Sequence, residues 1–185
     1  MKRVAVLLIA MTLIVWGQAY GYQSLQEVFD NAGPGNGYDK YVVLDPAIEY
    51  EGDLTIDNAG YVGIVGNGAN IYVIDATSGI YIQDSQVDIS ECCITVANEQ
   101  GLRVCIFYGV GSCGIVHNNT IVNGTYTGIR CKKDHQTDPG ITIYDNIITD
   151  CLYGILADEY YLPVYVGYNI VFNSTKYDYA EKCDS

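Results

Sequence analysis

The stretch Asn119-Thr-Ile-Val-Asn-Gly-Thr-Tyr-Thr-Gly128-Ile129 contains features that recur along the chain. A glycine followed by an apolar or aromatic residue occurs with steps of 19, 22, 27 and 26 residues, at Gly60-Tyr61, Gly79-Ile80, Gly101-Leu102, Gly128-Ile129 and Gly154-Ile155. Recurrence at this spacing is typical of a structural unit that stacks on copies of itself. The sequence therefore predicts a repeat protein.

Two columns of polar residues run out of phase with the glycines. The first begins short apolar segments at Asn119, Asn146 and Asn169. The second follows four residues later, at Asn123, Asp150 and Asn173. Asparagine suits the corner of a coil because it tolerates the left-handed backbone region and bonds locally. Equivalent asparagine amides one coil apart are also expected to bond each other along the axis.

Short runs rich in Ile, Val, Tyr and Thr lie between these columns, and residues 41–179 carry no sustained helical period. Such runs, broken by Gly and Asn, predict strands and turns. Three short strands per repeat favour an all-β fold, a parallel β-helix of about six coils. The alternative is an irregular β-sandwich. Its hairpin turns would be Asn67-Gly68 and Asn123-Gly124, but the strands around them alternate poorly.

The chain also resembles a known group of proteins. The carrying segments are Ser24-Leu-Gln-Glu-Val-Phe-Asp-Asn-Ala-Gly-Pro-Gly, then Tyr41-Val-Val-Leu-Asp-Pro-Ala-Ile-Glu-Tyr-Glu-Gly-Asp-Leu-Thr-Ile, and the later Asn-Asn-x-Ile…Gly-Ile coils. They resemble the opening and the repeat of right-handed parallel β-helix proteins of the pectin-lyase-like superfamily. The resemblance implies a right-handed coil. It implies little about activity, because such proteins include lyases, hydrolases, epimerases, tailspikes and adhesins.

The N-terminus is predicted to be a secretory signal peptide covering residues 1–21. Lys2 and Arg3 precede an apolar run at residues 4–16, and cleavage is expected after Ala19 or Gly21. The run is short for a membrane span, although a retained N-terminal anchor is the alternative. We expect the mature protein to be secreted or on the extracellular surface, without membrane insertion after cleavage.

Residues 22–40 are predicted to form a capping helix and lead-in, and residues 41–185 the β-helix domain. Ser24 and Glu27 suit a capping box at the start of this helix, which would close the N-terminal coil. The C-terminal coil has no comparable cover. Either Tyr177 and Tyr179 fold over it, or it pairs with another chain and the protein self-associates.

Seven cysteines follow the predicted signal peptide: Cys92, Cys93, Cys105, Cys113, Cys131, Cys151 and Cys183. In an exported protein disulfides are the default expectation. Cys105 and Cys131 follow their coil glycines by four and three residues, so their pairing is predicted first. Buried thiols are the alternative for one or two of the seven, and an odd count leaves at least one thiol free or bonded to another chain.

The chain is acidic, with a formal net charge of −13. Loss of Lys2 and Arg3 with the signal leaves 7 basic against 22 acidic residues, a net charge of −15. Such a surface repels nucleic acid and anionic membranes, and also bare polyuronates. No nucleic-acid partner is therefore expected.

The basic cluster Arg130, Lys132 and Lys133, followed by Asp134, lies in a stretch that lengthens one coil. In a uronate lyase a lysine here would abstract the proton α to the carboxyl, and Arg130 or calcium would stabilise the enolate. Asp134 and Asp138 would then hold the calcium. The alternative is a solvated turn without metal or cofactor. The single histidines, His117 and His135, are expected to be surface residues.

The chain holds 18 tyrosines against 3 phenylalanines. Tyrosine on a flat β surface can stack on sugar rings, and candidates for glycan binding are Tyr160, Tyr161, Tyr165 and Tyr168. The alternative is that tyrosine fills half-buried strand positions. Three sequons, candidates for glycosylation, occur at Asn118, Asn123 and Asn173.

Together these patterns predict an exported, non-catalytic surface module that binds glycan or serves a structural or adhesive purpose. A calcium-assisted polysaccharide lyase is the first alternative. The second is a filament subunit that assembles through open β-helix ends.

Overall fold

The computed structural model describes residues 21–98, 100–132, 140–158 and 164–181. These residues form a parallel β-helix, as predicted, and every pairing between its strands is parallel. The handedness of the coil stays a prediction. Among the described residues, no helix is both long and apolar enough to cross a membrane.

Three sheets run along the axis. Sheet I contains β2 (Lys40–Val43), β5 (Tyr61–Val65), β8 (Gln86–Ser90), β11 (Gly114–His117), β14 (Ile141–Tyr144) and β17 (Val164–Gly167). Sheet II contains β1 (Gln23–Ser24), β3 (Glu49–Glu51), β6 (Asn70–Val73), β9 (Cys93–Val96), β12 (Thr120–Val122), β15 (Ile147–Thr149) and β18 (Ile170–Phe172). Sheet III contains β4 (Leu54–Asp57), β7 (Ser78–Gln83), β10 (Val104–Tyr108), β13 (Thr127–Cys131), β16 (Tyr153–Ala157) and β19 (Tyr177–Glu181). From β2 onward, each coil adds one strand to each sheet, which gives six coils.

The core is a stack of β-branched side chains in register from coil to coil. In sheet III, Ile80, Ile106, Ile129 and Ile155 occupy one position, and all are fully buried. Outward residues alternate with them because successive strand side chains point to opposite faces. Burial of identical side chains therefore sets the register of the sheets.

The helix α1 (Leu25–Asn31) covers the N-terminal coil, as predicted. Its first turn is capped where the backbone N–H of Glu27 donates to Ser24 Oγ at 3.3 Å. Leu25 and Phe29 are buried in the core. At its other end, Lys40 Nζ donates to the carbonyl of Phe29 at 2.7 Å, which fixes the lid to the first coil.

The predicted glycine column is correct for three members. Gly79, Gly128 and Gly154 share one position of sheet III, with Cys105 between the first two. The prediction is wrong for Gly60 and Gly101, which lie outside the strands with φ of +75° and +88°. Gly60 and Gly101 adopt the left-handed backbone conformation that glycine favours. The three column glycines instead lie where a side chain would collide with neighbouring coils.

The asparagine column forms the predicted ladder. Oδ1 of Asn169 accepts from Asn146 Nδ2 at 2.9 Å, and Oδ1 of Asn146 accepts from Asn119 Nδ2 at 3.0 Å. The second column, Asn123, Asp150 and Asn173, has φ of 60°, 59° and 60° and turns the next corner. Its sequon residues Asn123 and Asn173 therefore share one edge, while the exposed Asn118 lies at the preceding corner. Glycosylation at all three stays a prediction.

The cysteine register differs from the predicted one. Cys105 lies opposite Gly128, whereas Cys131 lies opposite Tyr108, three residues further along the strand. Cys105 carries a free, fully buried thiol, so the predicted Cys105–Cys131 disulfide is absent. Cys92 and Cys151 are also buried free thiols and contribute to the core as small apolar groups.

The last coil is only partly covered by the described residues. Tyr179 points inward, and its hydroxyl donates to the carbonyl of Asn169 at 3.4 Å. Tyr177 is 57 % exposed and does not fold over the end. Val171 is only partly buried, although Ile121 and Ile148 below it are fully buried. The predicted tyrosine cover is therefore half correct.

Candidate functional site: an aromatic face on one flank

The predicted lyase residues are only partly within the described structure. Arg130 is the fourth of the five residues of β13 and points away from the core. Lys132 is half-buried just after this strand, and its backbone N–H donates to the carbonyl of Tyr108 at 2.8 Å. Lys133 and Asp134 lie outside the described residues, as do His135 and Asp138. The lyase cluster therefore stays a prediction.

Two of the four predicted glycan-binding tyrosines are described. Tyr165 in β17 is 68 % exposed, and Tyr168 in the turn that follows is 91 % exposed. Tyr160 and Tyr161 lie outside the described residues. The described pair thus lies on sheet I of the last coil, away from sheet III.

Outward side chains of sheet III form a second aromatic surface that the sequence did not single out. Tyr81, Phe107 and Arg130 occupy one register position of β7, β10 and β13. Tyr153 and Tyr177 begin β16 and β19 beside them, and Tyr126 immediately precedes β13. We call these six residues the aromatic face. Tyr81, Phe107 and Arg130 point outward, because successive strand side chains alternate between faces and the residues on either side of each are buried.

The rings of the aromatic face contact one another from coil to coil. Tyr81 and Phe107 meet edge to face, with centroids 5.3 Å apart. Tyr126 and Tyr153 also meet edge to face, at 5.5 Å. Tyr153 and Tyr177 stack at 6.2 Å. Such offset and edge contacts are the favoured arrangements of aromatic pairs, so the rings hold one another in place.

Arg130 joins the two halves of the face. Its guanidinium carbon lies 4.8 Å from the centre of the Phe107 ring and 5.4 Å from that of Tyr126. The guanidinium also forms a salt bridge and a hydrogen bond with Asp158. Both contacts go to one oxygen of Asp158, Oδ2, and they hold the planar guanidinium in one orientation beside a charge of opposite sign. Arg130 therefore presents a flat guanidinium whose charge is paired with a carboxylate.

Lys176 ends the face on the last coil. Its Nζ donates to the hydroxyl of Tyr153 at 2.6 Å and lies 5.1 Å from the centre of that ring. This hydrogen bond to Tyr153 is the main cause that raises the pKa of Lys176. The ammonium is thus retained at neutral pH beside a half-buried ring.

A groove of about 430 Å³ runs beside the first half of the face. Its lining includes the apolar side chains of Phe107 and Val104 and the polar side chains of Thr55, Thr77 and Asp53. Apolar rings bordered by hydroxyl and carboxylate groups match a ligand with apolar faces and a polar edge.

The described residues show no group of three or more His, Cys, Asp or Glu placed to hold a metal ion. The predicted calcium ligands lie in the part of the chain that is not described, so calcium stays a prediction.

The aromatic face was missed because its signal depends on register. Tyr81 and Arg130 each follow a column glycine by two residues, and Phe107 follows Cys105 by two. Including Gly101 in the glycine column hid this pattern, because it displaced the third coil by four residues. With the correct register, three successive coils show an aromatic or planar residue at one outward position.

Comparison with known proteins finds no matching family model, no similar curated protein and no similar solved structure. The parallel β-helix that the resemblance implies is present. Membership of the pectin-lyase-like superfamily stays a prediction.

Proposed function

We propose that this protein is an exported, non-catalytic member of the pectin-lyase-like β-helix proteins that binds a linear neutral glycan along its aromatic face. The observation that supports this most is the series of contacts from Tyr81 to Tyr177 over five coils, in which the Arg130 guanidinium connects the ring pair Tyr81–Phe107 to the rings of Tyr126, Tyr153 and Tyr177. With strands about 4.8 Å apart, this series spans about 19 Å along the axis. A row of that length suits several consecutive sugar rings rather than one.

Stacking supplies the proposed binding energy. The C–H faces of a pyranose cover an aromatic ring, while its hydroxyls reach the polar rim of the groove or water. Tyrosine and phenylalanine lose little side-chain entropy on binding, because their neighbours already hold them. The face is therefore pre-organised for a ligand with a repeating apolar surface.

Electrostatics favour a neutral glycan over a polyuronate. The charge of Arg130 is already paired with Asp158, and the chain carries a formal net charge of −13. An anionic polymer would approach against this field, and of the two described cations that contact the rings, Arg130 and Lys176, the first is already in a salt bridge. The proposal that the protein is exported rests only on the predicted signal peptide at residues 1–21.

The test compares ring-deleted variants on several polysaccharides. Affinity electrophoresis of the secreted protein would use the neutral polymers xylan, mannan and hydroxyethyl cellulose, and polygalacturonate as the anionic one. We expect retardation on at least one neutral polymer. The changes Phe107→Ala and Tyr126→Ala should each weaken it roughly five-fold, from the loss of about 1 kcal/mol of stacking.

Tyr72→Ala is the matched control, because Tyr72 is a half-exposed tyrosine on the outer face of sheet II. It should leave retardation unchanged. Equal weakening by Tyr72→Ala and Phe107→Ala would contradict the proposed face. The same samples, incubated with polygalacturonate and calcium, distinguish the lyase alternative: unsaturated product that disappears in Lys132→Ala or Lys133→Ala would replace our proposal with catalysis.

Self-association is a second candidate, favoured by the surface of the last coil. Ile170 and Phe172 are 60 % and 49 % exposed on β18, the edge strand of sheet II, and Ile147 beside them is 43 % exposed. Exposed apolar edge strands template pairing with another chain. Because α1 closes the other end, a tail-to-tail dimer fits better than a head-to-tail filament. Sedimentation velocity should show dimer in the wild type and monomer in Ile170→Lys; a wild-type monomer at all concentrations would contradict it.

A further inference from the structure

A second stacked pair lies on sheet I, on a different flank from the aromatic face. The outward position shared by Ser90, His117, Tyr144 and Gly167 runs through four successive coils. The rings of His117 and Tyr144 are almost parallel, with planes inclined by 4° and centroids 5.1 Å apart. The next member of the column has no side chain.

Gly167 leaves an open place where the stack would continue. Among the described residues, no heavy atom lies within 4 Å of a Cβ atom added to Gly167. The depression above it is bordered by Tyr165 on β17 and Tyr168 in the following turn, with Tyr144 as its inner wall. The gap therefore has one ring face below it and two exposed rings beside it.

Elsewhere on the same sheet the chain fills a comparable gap with a ring of its own. Gly63 also lies at an outward position of sheet I, and a Cβ there would be 2.7 Å from the Tyr38 ring. Tyr38 in turn stacks on Tyr41, with planes inclined by 10° and centroids 5.6 Å apart. A glycine beside a stacked aromatic residue on this sheet is thus a seat for a six-membered ring.

The lining of the open seat is mainly apolar but carries several side-chain oxygen atoms, which suits a ring with apolar faces and a polar edge. Thr142, Asp145, Tyr165 and Tyr168 all line it and all carry side-chain oxygen atoms. An aromatic ring would leave these groups without new partners, whereas the hydroxyls of a pyranose would donate to the carboxylate and bond the phenols. The acidic chain and Asp145 favour a sugar without a negative charge.

We propose that Gly167 is the floor of a binding site for one neutral pyranose ring, stacked on Tyr144 and flanked by Tyr165 and Tyr168. This site is separate from the aromatic face, so either can exist without the other. It would bind a chain end or a branch, because the stack on Tyr144 continues at a single glycine position, Gly167.

The variant Gly167→Tyr provides a sharp test. Gly167 lies in a strand and has no positive φ, and its surroundings leave room for a side chain. The new ring should continue the stack on Tyr144 and occupy the seat itself. The variant should therefore fold with an unchanged or higher urea midpoint while losing ligand binding. Gly167→Ala is the matched control, since a methyl group adds only a small obstruction.

Binding would be followed by amide chemical shifts of ¹⁵N-labelled protein titrated with methyl glucoside, methyl galactoside and methyl mannoside. We expect saturable shifts of the Gly167 and Asp145 amides with at least one probe. The shifts should persist in Gly167→Ala and in the double variant Phe107→Ala/Tyr126→Ala, and vanish in Gly167→Tyr. Absence of shifts with all three pyranosides, or their persistence in Gly167→Tyr, would overturn the proposal. So would saturable shifts with p-cresol alone, which would assign the seat to an aromatic side chain.

Discussion

The side-chain amide of Asn119 donates to Oδ1 of Asn146 at 3.0 Å, and the backbone N–H of Asn119 donates to the same oxygen at 3.0 Å. One buried carbonyl oxygen thus satisfies two donors of the preceding coil. The amide of Asn146 in turn donates to the carbonyls of Val116 and Tyr144, each at 2.9 Å. The ladder supplies partners at a corner where the sheets cannot.

We predict that Asn146→Ala destabilises the protein by several kcal/mol. The change leaves buried carbonyl and N–H groups without partners, at about 1 to 3 kcal/mol for each group. Urea unfolding followed by circular dichroism measures the loss. The control is Asn169→Ala at the end of the ladder, where Asn169 is only half-buried and water can replace part of the lost bonding. A loss in Asn169→Ala as large as that in Asn146→Ala would show that ladder position does not matter.

We predict that Gly128→Ala lowers the free energy of unfolding. An added Cβ would lie 2.7 Å from Cγ2 of Ile148 and 2.8 Å from the carbonyl oxygen of Gly154 in the next coil. Because a backbone atom is among the obstructions, the coils must separate, at a cost of about 1 to 3 kcal/mol. The urea midpoint of Gly128→Ala should fall by the corresponding amount.

Gly167→Ala is again the comparison, because no heavy atom of the described residues lies within 4 Å of the added Cβ atom. It should leave the midpoint unchanged or raise it slightly, since alanine restricts the unfolded chain. Equal destabilisation at both positions would mean that core crowding is not the reason for glycine in sheet III.

Asp88 fastens the N-terminal lead-in to sheet I. Its Oδ2 accepts from the hydroxyls of Tyr38 at 3.0 Å and Tyr61 at 2.8 Å, and its Oδ1 accepts from the backbone N–H of Ile115 at 2.9 Å. Burial is the first cause that raises the pKa of Tyr38, followed by its hydrogen bonds with Tyr61 and Asp88. We expect Asp88→Ala to cost about 2 to 4 kcal/mol, because it leaves several groups unpaired.

Tyr38→Phe removes the hydrogen bond that the Tyr38 hydroxyl donates to Asp88 and keeps the ring packed against Gly63. It should cost about 1 kcal/mol. Unfolding in urea measures both variants. If Tyr38→Phe were as damaging as Asp88→Ala, the carboxylate would not be the centre of the cluster.

Stability should fall in alkaline solution through the buried thiols. Burial raises the pKa of Cys151 to about 11 and that of Cys92 to about 12, from 9.0. Above pH 9 the unfolded chain releases these protons while the folded protein retains them, so rising pH favours unfolding. The contribution of Cys151 is complete below pH 9 and is lost as the pH approaches about 11.

The measurement is the difference in free energy of unfolding between the wild type and Cys151→Ala as a function of pH. This difference should change in favour of the variant between pH 9 and about 11. Cys151→Ser, which also lacks an ionisable thiol, should show the same pH dependence whatever its absolute stability. A difference that stays constant across this range would contradict the raised pKa of the Cys151 thiol.

Much of the fold was determined by the sequence alone. The asparagine ladder followed from Asn119, Asn146 and Asn169, because their spacing equals one coil and their side chains bond wherever coils stack. The capping helix followed from Ser24 and the apolar positions behind it, since these signals act within one turn of chain. Local patterns of this kind need no knowledge of distant contacts.

Tertiary structure decided what depends on register. The sequence could not show that Cys105, rather than Gly101, stands between Gly79 and Gly128, because several offsets place a small residue near the column. That shift of four residues removed the predicted disulfide and brought Phe107 beside Tyr81 and Arg130. Register is set by the joint burial of whole strands, a property of neighbouring coils that no single segment carries. Repetition therefore determined the fold, and the packing of coil on coil determined which side chains meet on its surface.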